Sequence, residues 1–423
     1  MLENILINKE TDKLKIFSYG EITPEVIMYP RTIKEISQIM NFAAKNHKKV
    51  MIHGNGSQKY LGGFPQPFDI AISLSRLNNI VEYDINNLTI TVEAGLKLKE
   101  LHHTVHKNNH FLPLDPPGRE NSTIGGIVAT NASGPRRYLY GCCPDLILGM
   151  HFILPDSSYA KTGGKTMKNV AGYDLAKLFV GSMGTLAAVV NITVRLYPLP
   201  AESKTVEIEF NELETCKKFI DKILASKLVF SSIDLLNSEA INNLKHSLVS
   251  YGLYVRFEGD RKICKYGVDR LTEMANTSDA LRVGLVSKNF WQNYQRMPIF
   301  TASPENEITV KISLPISNIA RAISFLEGFG SNNKIPVTIV CHAGNGVIYV
   351  SFPLEKSINS INEIRLYIAK LEGHLVIQKI PFKFKKGIDV WGESKSTSLI
   401  FQQIKNQFDP QQTLAKGRFI GGL

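Results

Sequence analysis

The stretch DPPGRENSTIGGIVATNASGPRRYLYG (115–141), followed by GGKTMKNVAGYDLAKLFVGSMGTLAAVV (163–190), decides the reading of this chain. It is rich in Pro, Gly, Asn and Ser, yet apolar residues recur throughout, so it is no linker. Long irregular segments of this kind inside a compact unit read as binding loops. Ser122 and Thr123 precede Gly125 and Gly126 at an expected helix start, an arrangement that favours an anion. Two glycine turns surround a short helix expected at 174–180. The second, Gly181-Ser182-Met183-Gly184-Thr185, leads into a long strand expected at 186–197.

Upstream, Thr32 and Glu35 form a capping pair for a helix over 31–49, with Ile33, Ile36, Met40 and Ala43 at helical spacing. Val50-Met51-Ile52 then reads as a buried strand entering HGNGSQKYLGG (53–63). Gly54 and Gly56 supply the start of a G-x-G-x-x-G pattern, but position 59 is Lys59 and Pro65 and Pro67 follow, which excludes a dinucleotide-type strand–turn–helix. A Gly-Asn-Gly-Ser turn after a strand can still present backbone N–H groups to a pyrophosphate, or it is an ordinary turn. Strands are expected at 69–74, 80–84 and 88–93, and a helix at 96–108.

Pro198 and Pro200 mark a boundary. Beyond it, separate strands and helices alternate: 206–210, 211–227, 253–259, 261–276, 308–314, 318–330, 336–341, 346–353 and 357–371. This pattern predicts a second α+β domain with an antiparallel sheet. The last stretch, 391–423, reads as a helix followed by an ordered, glycine-bearing tail. The expected layout is an N-terminal extension (1–19), a two-part cofactor domain (20–200), an α+β cap (201–390) and a C-terminal helix and tail (391–423) returning toward the cofactor domain.

Composition narrows the class. The chain has 423 residues, 43% hydrophobic and 21% charged, as a soluble globular protein has. No apolar run is long enough to cross a bilayer, and the first residues carry no apolar signal core, so a cytoplasmic protein, peripheral at most to the inner membrane face, is expected. Its 49 Lys and Arg exceed 38 Asp and Glu by 11, but the charges are scattered and no aromatic-interleaved basic run occurs. That excludes nucleic-acid binding and leaves a bias toward anionic substrates or an acidic partner. Cys142, Cys143, Cys216, Cys264 and Cys341 form no C-x-x-C pair, so no iron–sulfur or structural metal framework is expected.

The order of these motifs (glycine loop near 54, EAG at 93–95, DPP then TIGG, KNVAGYDL then GSMGTL) resembles the FAD-binding module of the vanillyl-alcohol-oxidase (PCMH-type) family. Within it, NASGPRRYLYG, CHAGNG (341–346) and the closing GRFIGGL are similar to the smaller flavin subunit, the E subunit, of bacterial glycolate oxidase/dehydrogenase. The resemblance implies an α+β fold with a two-subdomain PCMH-type FAD domain and a second α+β domain. It implies FAD held by His53, Gly54, Asn55, Gly56, Ser57 and Gln58 at the pyrophosphate. Pro117, Thr123, Gly125, Gly126, Ala129 and Asn131 would follow along the flavin. Gly172, Tyr173, Gly181, Gly184 and Thr185 would complete the cradle. Two departures stand out: family members usually carry arginine at His53, and those with covalently attached flavin often carry histidine near Ser57, so non-covalent FAD is expected.

The family's larger subunits carry a histidine metal motif that is missing here, so no metal is expected. Oxidation of a 2-hydroxy acid needs a base for the hydroxyl and a cation for the carboxylate. His342, Asn345, Lys311 and Arg418 are the candidates; His342 reads equally as a satisfied strand-end histidine, and Lys311 and Arg418 either meet an anionic substrate or simply face solvent. Trp291 and Trp391 read as packing residues. The implied function is the FAD subunit of a heteromeric enzyme oxidising glycolate to glyoxylate, with a larger flavin subunit and an iron–sulfur subunit as partners. A self-sufficient oxidase of another hydroxy acid or alcohol, or a non-catalytic structural subunit, remains open at this point.

Overall fold

The computed structural model describes residues 5–165, 174–246, 249–302, 304–354, 358–392 and 395–423. Among the described residues, no helix is long and apolar enough to cross a membrane.

The helix Ile33–Lys45 starts where the capping pair predicts. The Thr32 hydroxyl accepts the Glu35 amide at 3.2 Å, while the Glu35 carboxylate reaches back to the Arg31 amide at 2.7 Å. Its buried stripe of Ile36, Ile39, Met40 and Ala43 belongs to a core built from two sheets. The first has the order Leu6–Asn8, Val26–Tyr29, Ile70–Ser73, Val50–His53, the last three strands being parallel. The second is antiparallel, in the order Ile80–Asp84, Thr89–Glu93, Ala188–Arg195, Ile147–Ile153, Tyr159–Gly163. Thr123 caps the short helix Ile124–Ala129, whose first amides donate to the Leu96 and Ala94 carbonyls just after the strand Thr89–Glu93.

Residues 202–379 build one eight-stranded, wholly antiparallel sheet. Its order is Arg282–Leu285, Glu202–Phe210, Tyr251–Gly259, Ser232–Asn237, Thr338–His342, Val347–Pro353, Glu307–Ser313, His374–Lys379. Period-two alternation sorts its faces. Ile308, Val310 and Ile312 enter a core with the helices Leu213–Leu224, Arg261–Asn276, Ile319–Asn333 and Ile361–Lys370. Thr309, Lys311 and Ser313 face the other way, toward residues 116–133.

Where the two units meet, burial is unusually polar. The Arg136 guanidinium donates twice to the Glu258 carboxylate, at 2.6 and 3.0 Å, and its backbone amide donates to Asp115 at 3.1 Å. Arg256, 3% exposed, lies 3.6 Å from Asp115 and stacks over Trp291 at 3.5 Å. Burial raises the Asp115 pKa to about 6 against the pull of both arginines. Burial also pushes Glu258 up, but Arg136 and Arg256 outweigh it and hold the carboxyl at about 2. Tyr138 adds a stacked contact with Phe230 at 4.8 Å.

The tail is bound to the first sheet. The Val50 amide donates to Thr413 at 2.8 Å and the Ala415 amide donates to Val50 at 2.9 Å. Lys405 and Asp409, a buried pair at 2.6 Å, fix this turn: Lys405 also donates to Thr185 and Leu414 carbonyls, and Asp409 accepts the Thr413 and Leu414 amides.

Candidate active site

Three cavities run together along the loop ends. The first, about 590 Å³, is lined by all six residues from His53 to Gln58, with Thr123, Gly126, Ala129, Met183 and Arg418. The second, about 470 Å³, shares His53, Gly54 and Thr123 with it and adds Gly125, Gly184 and Ala94. The third, about 950 Å³, opens between the two units and shares Gln58 and Thr130 with the first.

Glycine is needed at several points of the first two. A Cβ on Gly54 would overlap the Thr123 hydroxyl, and one on Gly125 would sit 2.8 Å from the Ala94 methyl. Gly184 has a φ of +73°, a conformation that side chains resist. The amides of Asn55, Gly56, Ser57 and Gln58 donate to no other described residue, which suits a turn that faces an anion. His53 is 7% exposed, sits 4.8 Å from the Phe17 ring, and leaves Nε2 without a hydrogen-bond partner among the described residues. Burial, with Arg418 and Lys59 nearby, lowers its pKa to about 3, so the imidazole is neutral. Arg418 and Lys59 both line this cavity; the buried one, Arg418, lies over Tyr19 at 4.7 Å and donates to the Gly63 carbonyl at 2.8 Å. A glycine cradle with unpaired amides, one unpartnered imidazole nitrogen and a buried arginine fits a dinucleotide pyrophosphate.

A protein-family profile described as "FAD binding domain" matches residues 24–163. Residues 24–163 are an FAD binding domain of the PCMH type. The cofactor is FAD, and the chain belongs with the FAD-dependent oxidoreductases. It is 26% identical to the glycolate oxidase subunit GlcD of Bacillus subtilis (strain 168) over 339 residues, covering 77% of this chain and 72% of that one. It is 32% identical to a D-lactate dehydrogenase of Archaeoglobus fulgidus over 217 residues, 51% of this chain and about half, 48%, of the relative. A structure of p-cresol methylhydroxylase with substrate bound superposes with a TM-score of 0.78 over 97% of this chain and 93% of that chain, at 13% identity. That likeness concerns the fold alone.

Most of the residues expected to hold FAD converge on the PCMH-type domain's cavities. Pro117 and Asn131 line the third cavity rather than the first two. Ser57 places its hydroxyl 3.1 Å from that of Ser122, and the Asn55 amide group donates to the Asn121 carbonyl at 2.9 Å. Gly181 has a φ of +79° and its amide bonds Val128, which serves the turn. Thr185 turns away: its hydroxyl bonds Ser182 and its carbonyl receives Lys405, on the wall of an apolar pocket under the helix Lys395–Phe408. Gly172 and Tyr173 lie outside the described residues.

The four expected catalytic residues separate. Lys311 lines the third cavity, opposite Tyr349 in the sheet register, and makes no hydrogen bond or ion pair with a described residue. Arg418 lies in the first cavity instead. His342 is 2% exposed behind Tyr349, at 5.6 Å between rings, and its Nδ1 pairs with the Asp234 carboxylate. Neither His342 nor Asn345 lines the third cavity. The register puts His342 on the same sheet face as Lys311 and Tyr349, but there it is buried beside Tyr349 and bound to its cross-strand neighbour Asp234, which keeps it out of the cavity.

Three cavity residues escape a reading by motif. Arg119 lies within the quoted DPPGRE run and bonds Thr130 at 2.7 Å; burial lowers its pKa only to about 10, so it stays cationic. Lys379 depends on a register shift between the outer two strands that no local pattern announces. Trp391, read as a packing residue, lines the cavity and leaves Nε1 buried without a partner among the described residues.

Proposed function

We propose that this chain is the FAD-binding E subunit of a heteromeric glycolate oxidase/dehydrogenase, oxidising a 2-hydroxy acid of the glycolate type to the 2-oxo acid. One observation carries the reading. The cavity continuous with the flavin cradle presents Arg119 from one side and Lys311 from the other, and among the described residues no Asp or Glu lines it. Such a wall selects an anion. In this reading Lys311 and Arg119 hold the substrate carboxylate and orient the α-carbon toward the cradle. His374, the only imidazole on the wall among the described residues, takes the hydroxyl proton on a ring nitrogen. FAD, when bound, would supply the acceptor for the hydride that leaves the α-carbon. Residues 20–200 act as the flavin unit, 201–390 as the cap, and 391–423 as the returning helix and tail.

FAD is non-covalent in this proposal, since Ser57 supplies a hydroxyl that bonds Ser122 where a linking histidine would be needed. Electrons leave through an iron–sulfur partner, and the complex sits in the cytoplasm or against the inner membrane face through its partners. The relatives' names support the substrate class. The test is isolation of the native complex, with flavin release by acid and anaerobic bleaching by glycolate against D-lactate. A partner flavin subunit and iron–sulfur subunit, released flavin and bleaching by glycolate are expected. A chain that always purifies alone, or flavin that no 2-hydroxy acid reduces even in the complex, overturns the proposal.

A further inference from the structure

The outermost strand of the large sheet carries a lysine that regular alternation would turn away from the cavity. His374, Val376 and Gln378 line the cavity at every second position, yet so does Lys379. The pairing explains it. Val310 faces Ile377 but Thr309 faces Lys379, so one extra residue is accommodated on the edge strand. Bulges re-aim side chains in this way.

Lys379 has no carboxylate partner within salt-bridge reach among the described residues. Its Nζ donates to the Phe300 carbonyl at 2.6 Å, with the Ile299 and Ala302 carbonyls at 3.4 and 3.3 Å. These carbonyls end the helical turn Pro298–Thr301, where helix geometry leaves acceptors without internal partners. Ile299 and Phe300 form part of the cavity wall, and the Phe300 ring stands edge-on to Tyr349 at 5.6 Å. The Phe300 carbonyl also rests on the Pro-Pro-Gly turn of the flavin unit. Gly118 there has a φ of +68°, and a Cβ on it would come within 3.0 Å of that oxygen. The turn 298–302 therefore roofs the cavity from the cap and meets the flavin unit, and Lys379 ties it to the sheet.

We infer that Lys379 is a positioning residue: by clasping the 298–302 turn it keeps the roof on the substrate cavity and sets how tightly the acid is retained. The inference rests on the proposed reading of that cavity as the substrate site. Lys379 does not touch reacting atoms, because its three protons are committed to carbonyls. The charged and titratable groups around it are Arg119 from the flavin unit, Glu307 and Lys311 on the neighbouring strand, and His374 on its own. Burial, then Arg119, lower its pKa to about 8, with Glu307 opposing. The clasp is thus fully charged below that pH and weakens above it.

The experiment compares Lys379→Met and Lys379→Arg with the wild-type holoprotein. Dissociation constants for oxalate and glycolate are read from the perturbed flavin spectrum, beside the FAD dissociation constant. Lys379→Met should bind both acids about tenfold more weakly, with FAD affinity changed less than about twofold. Lys379→Arg should restore most of the loss. Equal acid binding by Lys379→Met and wild type overturns the inference. Wild-type flavin that responds to no 2-hydroxy acid or analogue instead counts against the substrate reading. Should Lys379→Met fail to fold, hydrogen exchange on wild-type holoprotein decides the matter. Protection of the Phe300, Thr301 and Ala302 amides should fall about tenfold between pH 7 and 9.5, after correction for intrinsic rates; unchanged protection overturns the inference.

Discussion

The flavin cradle and the cap cavity are both lined with cations, yet they are made in opposite ways. The cradle is backbone: unpaired amides at 55–58, glycines that no side chain could replace, and a histidine kept neutral by burial. The cap cavity is side chain: one face of an antiparallel sheet, with Lys311 and Lys379 set by register and Arg119 supplied from across the gap. A backbone site tolerates little change in shape but much change in charge. A side-chain site behaves the other way round.

The largest effect should come from breaking the junction that holds the two regions in register. Arg136→Met leaves the Glu258 carboxylate, 1% exposed, with its main partner gone. Loss of one member of a buried pair costs about 3–5 kcal/mol, so the thermal midpoint should drop by several degrees or more in a calorimetric scan. A midpoint within a degree of wild type would mean that the junction contributes no net stability.

Gly54→Ala comes next and probes shape in the cradle. The added methyl overlaps Thr123, and overpacking of this kind costs about 1–3 kcal/mol. FAD affinity, followed by recovery of flavin fluorescence on dilution, should fall roughly 5- to 150-fold. Lys311→Met probes charge in the cap cavity, and there the split matters: the KM for the acid should rise about tenfold while FAD affinity holds. If FAD affinity falls in step, the two regions are less separate than their construction suggests.

The smallest effect depends on pH. His53 has a folded pKa near 3 against an ordinary value of 6.5, so the stability from keeping it neutral is full above 6.5 and is lost as pH falls toward 3. Asp115 runs the opposite way: its folded pKa near 6 lies above 3.8, so its contribution is full below 3.8 and lost as pH rises through 6. Between pH 7 and 5 the His53→Gln variant should lose a few degrees less of its melting temperature than wild type. Identical slopes would show that His53 is protonated in the fold.

The same contrast explains what was legible in advance. Capping at Thr32, the glycine turns and the strands on either side of Pro198 are local statements, and these elements fall within a few residues of their expected limits. The order of the cradle loops carried the cofactor. Apart from Lys311, the cap cavity's cations were not legible, because the cavity is assembled by pairings between strands far apart in sequence and by one bulge. His342 drew attention as a histidine beside a glycine turn, yet it is buried and bound to Asp234, its neighbour on the adjoining strand. Arg418 was a candidate for the substrate carboxylate, and lies against Tyr19 by the pyrophosphate loop, because the tail pairs with the strand Val50–His53.

That pairing has a consequence for how the protein comes into being. Arg418 and Gly63 bond across 355 residues of chain, and loop closure over such a span is slow to be rewarded during folding. On the ribosome, the first sheet emerges long before residues 413–418 can cover its edge strand. The flavin pocket therefore lacks its arginine until the whole cap has been synthesised, and bound flavin would mark a chain translated through residue 418. A chain cut short anywhere in the cap should come off the ribosome colourless, its first sheet edge bare and open to capture by a chaperone.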